Sequence, residues 1–261
     1  MRFLKVCGVL AASLLACQFA AAQSAPPQEN PYGELPGASG PIKAPVGPPK
    51  PAPRTADGKP DLSGFWKGPL IFGGMFKGVG GPPFTPAGEE AYKNNLTKSI
   101  NPEALCLFAG IPRASISRVP FEIVQNSNRI AFLYELMWTF RTIPIGTRGH
   151  QKDIEPSFFG DGVAKWDGDT LVIDSIGFKD KLSWIDDDAH PHSDAMHVVE
   201  RWSRPDADHL AHEVTVEDPK FYTKPWTTSF KVRFQPGWEI KEYVCLENNK
   251  DLLHLGTTAP K

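Results

Sequence analysis

The stretch Gly162-Val163-Ala164-Lys165-Trp166-Asp167-Gly168-Asp169-Thr170-Leu171-Val172-Ile173-Asp174-Ser175-Ile176 decides the fold class. Two β-prone runs, Gly162–Trp166 and Thr170–Ile176, flank Asp167-Gly168-Asp169, where glycine supplies the backbone freedom that a tight hairpin turn needs. Similar runs surround it. Phe121–Gln125, Arg129–Glu135 and Trp138–Ile143 come before, and Met196–Arg204, His209–Glu217, Thr228–Gln235 and Glu239–Leu246 come after. Near the start of the domain, Thr55 to Gly64 forms a turn that leads into an aromatic strand at Phe65-Trp66. One helix is legible over 86–98: Thr85 is its cap, Pro86 its first residue, and the pattern fades at Lys98. Many consecutive hairpins and a single short helix predict a mostly β domain, a single antiparallel up-and-down barrel of lipocalin-like type. A β-sandwich is the alternative. The 26 prolines and 23 glycines suit a chain that must turn often.

The ends carry a different kind of information. Arg2 and Lys5 precede an apolar run, Val6 to Ala16, and Ala20-Ala21-Ala22 offers small residues for cleavage, so 1–22 reads as a secretory signal peptide. Leu14-Leu15-Ala16-Cys17 also resembles a lipobox, in which Cys17 would carry a lipid anchor. Residues 23–54 are Pro, Ala, Gly and Ser with few large apolar side chains, the composition of a disordered linker. The barrel domain is then expected over 55–258, in a periplasmic or secreted protein with no transmembrane segment. A net charge of −2 with interspersed signs argues against nucleic-acid binding. Cys106 and Cys245 remain after export, and in an oxidising compartment they most simply pair. The alternative is a nucleophilic cysteine.

Three clusters are candidates for chemistry. The alternation of Met196–Trp202 places Glu200 on the inward face with Trp202, and that of Glu239–Leu246 places Glu242 inward as well. A buried carboxylate needs a partner or a task. Arg141 and Arg201 are candidate partners, or the two acids are a general acid and base. The second cluster is His190-Pro191-His192-Ser193-Asp194 with His197, beside Asp186, Asp187 and Asp188. It could hold zinc or copper through His190, His192 and His197, or supply a proton-shuttling histidine at the barrel mouth. It forms the end of Gly177–Ala195, a long stretch without regular structure, and such stretches are usually functional or disordered. No Gly-x-Ser-x-Gly elbow supports a serine nucleophile. The third cluster, Glu217 to Trp226, offers Tyr222, Lys224 and Trp226 at the rim, or simply a rigid turn between two prolines.

Taken together, the Asp57-to-Gly64 segment, the Cys106-to-Arg113 segment, Pro120-to-Gln125, Trp166-to-Asp174, His190-to-Ser193, Tyr222-to-Trp226 and Glu242-to-Cys245 resemble a family of exported bacterial proteins. The resemblance covers about Arg54 to His254. It implies export and a single domain, and it implies no activity, cofactor or site.

The combined expectation is a barrel that takes up a small, partly apolar or aromatic molecule. It either carries that molecule or acts on it by acid/base chemistry (isomerisation, elimination or hydrolysis) without an organic cofactor. Glu200, Glu242, His190, His192 and Tyr222 would be catalytic. Arg141, Asp194, Arg201, Lys224, Trp202 and Trp226 would contact the ligand. A zinc- or copper-binding protein and an envelope interaction module are the alternatives.

Overall fold

The computed structural model describes residues 48–68, 75–76, 80–117, 119–247 and 249. The expected signal peptide, Cys17, most of the linker, part of the glycine-rich 72–84 segment and residues 250–258 lie outside them.

Nine strands form one sheet: β1 (Gly64–Lys67), β2 (Phe121–Gln125), β3 (Arg129–Tyr134), β4 (Thr139–Pro144), β5 (Asp161–Asp167), β6 (Thr170–Ile176), β7 (His197–Asp206), β8 (His209–Glu217) and β9 (Trp226–Phe234). The order is β4-β3-β2-β1-β9-β8-β7-β6-β5, every adjacent pair in that order antiparallel. This is a meander that β1 joins to β9, curled into a nearly closed barrel. With nine alternating strands in a ring, one neighbouring pair must run parallel. That pair is β4 and β5, which meet only through a parallel bridge from Ile145 to Ala164. A parallel neighbour requires the chain to travel the length of the barrel between them. The crossing segment Ile145–Gly160 does this along the outside.

Strand alternation fills the interior. Ile130, Phe132 and Tyr134 of β3, Val198, Glu200 and Trp202 of β7, and Leu210, His212, Val214 and Val216 of β8 are all buried. In the β5–β6 hairpin, Asp167 pairs with Thr170 and Gly168 turns the chain at φ 60°. A bulge between Ser203 and Asp206 accommodates Pro205, which cannot donate to a ladder.

One end of the barrel is strapped by the segment before β1. Arg204 donates to the Asp61 carbonyl, Gln125 donates to that of Pro60, and Arg54 pairs with Asp169. Order reaches back to Lys50, whose carbonyl accepts from Ala207, inside the span read as linker. The other end carries everything else: the 177–196 segment, the β8–β9 connection, and two helices, α1 (Pro86–Lys98) and α2 (Arg113–Ile116). As expected, Thr85 caps α1, its hydroxyl accepting from Gly88 at 3.1 Å. Gly88 is obligatory here, because a Cβ would lie 2.1 Å from the Phe221 carbonyl oxygen. The helix is therefore pressed directly onto the β8–β9 connection.

Two expectations need correction. The sequence showed one helix, and the buried α2 is a second. Glu239–Leu246 is not a strand. Residues Trp66 and Lys67 of β1 pair with Phe234 and Arg233 of β9. The edge a tenth strand would use is thus already taken, and Glu242 lies exposed on an irregular segment. That segment is pinned by the Cys106–Cys245 disulfide, with Cα atoms 5.6 Å apart.

Candidate functional site

The inward position of Glu200 is as the alternation predicted, and of its two candidate partners, Arg141 and Arg201, it is Arg141 that meets it. Arg141 of β4 donates from Nη2 to Glu200 Oε1 at 2.9 Å, and Nη1 lies 2.7 Å from Oε2, in a contact too bent for a hydrogen bond. His212 donates from Nε2 to the same Oε1 at 3.1 Å and stacks on Trp202 with ring centroids 3.6 Å apart. Burial alone would raise the Glu200 carboxyl. The Arg141 charge and the His212 hydrogen bond outweigh it and hold the group down at about 2. Burial drives the His212 imidazole down, toward its neutral form. Arg141 also lies over the Phe132 ring at 4.6 Å, and Tyr134 shares a hydrogen bond with Ser115 of α2. Every charge in this interior layer has a partner, the arrangement of a structural network.

The remaining sequence candidates fall in several places. Arg201 pairs with Asp167 on the outer face, Asp194 with Lys220 at the surface, and Lys224 is exposed. His197 sits on the outer face of β7, donating from Nε2 to Asp174 Oδ1 at 3.1 Å. His192 is buried between the Ser183 hydroxyl and the Ser193 carbonyl. His190 instead meets Asp186. The three histidines are therefore not brought together, and the expected His190/His192/His197 metal set is corrected.

His190 is the centre of a different constellation. Ala189 is in the left-handed region at φ 66°, a conformation that costs a non-glycine residue about 1 kcal/mol or more. The resulting turn folds His190 back onto Asp186. The Asp186 carboxylate, 2 % exposed, accepts from His190 Nδ1 at 2.7 Å and from the backbone N–H groups of Asp188 and His190. Oδ2 also accepts from the Met75 N–H at 3.4 Å. His190 Nε2 makes no hydrogen bond among the described residues. The imidazole is stacked on Tyr92 of α1 (5.0 Å, 5°) and packed against Phe76.

Asp186, Asp188 and His190 each offer a donor atom, and these atoms lie within 4.8 Å of one another. The intervening Asp187 is drawn aside by the buried Arg113 of α2, at 2.9 Å, which also holds Glu103 at 3.0 Å. No arginine or lysine among the described residues pairs with Asp188: burial first, and then the neighbouring Asp186 charge, push its carboxyl up against the opposing His190 charge. Two of the three donor residues, Asp188 and His190, line a cavity of about 410 Å³, together with Asp187, Tyr92, Asn95 and Trp184.

The 177–196 segment that carries it lacks helix and strand, yet it is firmly held. Asp218 accepts from the Ser193 N–H (2.6 Å) and hydroxyl (2.7 Å), Tyr222 donates to the Pro191 carbonyl (2.7 Å), and Asn95 of α1 donates to that of Ala189. Tyr222 and Trp226 pack beneath His190 through Phe76. They support the site rather than line it. Sequence reasoning set Asp186, Asp187 and Asp188 beside the histidines as a source of oxygen ligands without singling out Asp186 and Asp188, and missed the roles of Tyr92, Trp184, His212 and Asp218. The run of three aspartates before His190 was the available signal for that pair.

No protein-family model, curated protein sequence or solved structure matches this chain.

Proposed function

We propose that the protein binds a divalent transition-metal ion, zinc or copper, through Asp186, Asp188 and His190, and admits a small organic ligand to the cavity beside it. The observation that carries this reading is the convergence of two carboxylates and an imidazole within 4.8 Å, with Asp188 and His190 on a cavity wall. One nitrogen and two oxygen donors suit a borderline metal. Three protein ligands leave a coordination position for water or substrate, the pattern of sites that do chemistry rather than of closed structural sites. A bound cation would also offset the repulsion between Asp186 and Asp188, which pair with no lysine or arginine among the described residues. Export from the cytoplasm is part of this reading, and the disulfide is compatible with it.

The test is isothermal titration of chelator-treated, desalted protein with Zn²⁺ and with Cu²⁺. One-to-one binding is expected, weakened by about 10- to 100-fold in Asp188→Asn and in His190→Gln, and unchanged in His197→Gln. Absence of binding, or equal binding by the first two variants, overturns it.

A second reading rests on the orientation of His190. A carboxylate fixes Nδ1 and leaves Nε2 without a hydrogen bond among the described residues, the arrangement of a positioned general base. Under this reading a substrate is turned over by chelator-treated protein, and His190→Gln abolishes turnover while Glu200→Gln leaves its chemistry intact.

A further inference from the structure

A separate cavity lies on the outer surface, at the seam where the barrel closes. It measures about 470 Å³, within the size range of small-molecule sites. Its floor is Val163, Ala164 and Val172, and its roof is the crossing segment around Gly146 and Arg148. The seam creates it. Elsewhere a neighbouring strand covers the sheet edge, whereas β4 and β5 meet only at the Ile145–Ala164 bridge, reinforced by the Gly146 N–H to the Ala164 carbonyl at 2.9 Å.

The charges around this apolar floor are unevenly committed. His150 of the crossing segment places Nδ1 3.0 Å from Asp161 and Nε2 3.0 Å from Asp174, so one imidazole engages both acids. Asp174 also meets His197, and Asp161 accepts from the Gln151 backbone and side chain. With both acids so occupied, Arg148 makes only a long 3.4 Å hydrogen bond to Asp161 among the described residues. Lys165, on the outer face of β5, makes no ion pair among the described residues. Two weakly engaged cations thus flank an apolar pocket whose acids are already satisfied.

We propose that this cavity binds a small amphipathic anion: an aromatic or branched aliphatic body against Val163 and Val172, with a carboxylate or sulfonate between Arg148 and Lys165. The pocket recognises charge and apolar area together. A neutral molecule of the same shape forgoes the first, and inorganic anions forgo the second. The inference is independent of the metal site, which lies at the end of the barrel carrying α1.

The probe is 8-anilinonaphthalene-1-sulfonate, titrated by fluorescence, with methyl-resolved NMR of the wild-type protein to locate it. Saturable binding is expected, with the largest shifts at the Val163 and Val172 methyls. Affinity should fall about tenfold in Arg148→Glu/Lys165→Glu, a variant confined to exposed side chains, and it should fall as ionic strength rises. Asp188→Asn should bind the probe like wild type, which keeps this test separate from the metal reading. Shifts confined to another face, or unaltered affinity in the double variant, overturn the proposal.

Discussion

At the scale of the residue, Glu200 shows what alternation can and cannot deliver. Its inward position followed from Met196, Val198 and Trp202 sharing a face, and an arginine in an aromatic strand demanded an acid, so Arg141 was a rational partner. Two buried charges hold each other in place, and removing one strands the other. Glu200→Ala is expected to destabilise the fold by about 3–5 kcal/mol, and Arg141→Met/Glu200→Leu by less than either single change, in urea denaturation. Equal or additive losses would show that the pair is not coupled. The pH sign follows. The Glu200 carboxyl sits at about 2 in the folded protein, below an unfolded value of about 4.3, so its contribution is present above pH ~4.3 and disappears as pH falls toward 2. His150 has the opposite sign. Burial lowers its imidazole, but the hydrogen bonds to Asp174 and Asp161 prevail and raise it overall. Its stabilisation is complete below the unfolded value near ~6.5 and is lost as pH rises through the raised folded value. The melting-temperature difference between wild type and His150→Gln should therefore shrink from pH 6 toward alkaline pH, and a constant difference would refute the charged-clamp description.

At the scale of the element, the strands were legible wherever side chains alternate under a turn signal. Phe121–Gln125, Thr170–Ile176 and His209–Glu217 sit where the sequence put them, because each packs one face inward and ends at a polar turn. Glu239–Leu246 carries the same local pattern, yet its neighbour position is occupied by β1, which local pattern cannot reveal. The 177–196 segment was legible only as long and rich in His and Asp. Its order comes from partners far away in sequence: Asp218 on the β8–β9 connection, Asn95 on α1 and Arg113 on α2. The same distance explains why the Asp186–His190 pairing emerged and the three-histidine grouping did not. His197 already belongs to β7 and faces Asp174, while His190 lies on the turn made by Ala189. Asp218→Ala removes the acceptor of two Ser193 hydrogen bonds, leaving a buried donor unsatisfied at a cost of about 1–3 kcal/mol. Hydrogen exchange should accelerate over 183–196 in that variant while β2–β4 keep wild-type protection. Uniform acceleration would mean that the segment is part of the barrel's own cooperative unit.

At the scale of the whole molecule, an odd number of strands and one covalent link divide the labour of closure. The ring is sealed non-covalently where β1 meets β9, joining the first strand to the last, and it is weakest at the β4–β5 seam, where parallel direction forced a long outside crossing. The disulfide closes neither. It ties the segment after β9 to the 3-10 turn Pro102–Leu105 and the loop before α2, across a separation of 139 residues. A loop of that length removes enough denatured-state entropy to contribute about 5 kcal/mol. Beyond the disulfide, few anchors hold the segment among the described residues. The Lys241 N–H donates to Glu135, and Tyr243 packs on the barrel. Cys106→Ala/Cys245→Ala should therefore lose about 5 kcal/mol in urea unfolding while its barrel stays folded in water. Residues 239–247 should then lose exchange protection well before β7–β9. If the strands lose protection together with that segment, the link is holding the ring itself, and the β1–β9 pairing is too weak to account for closure.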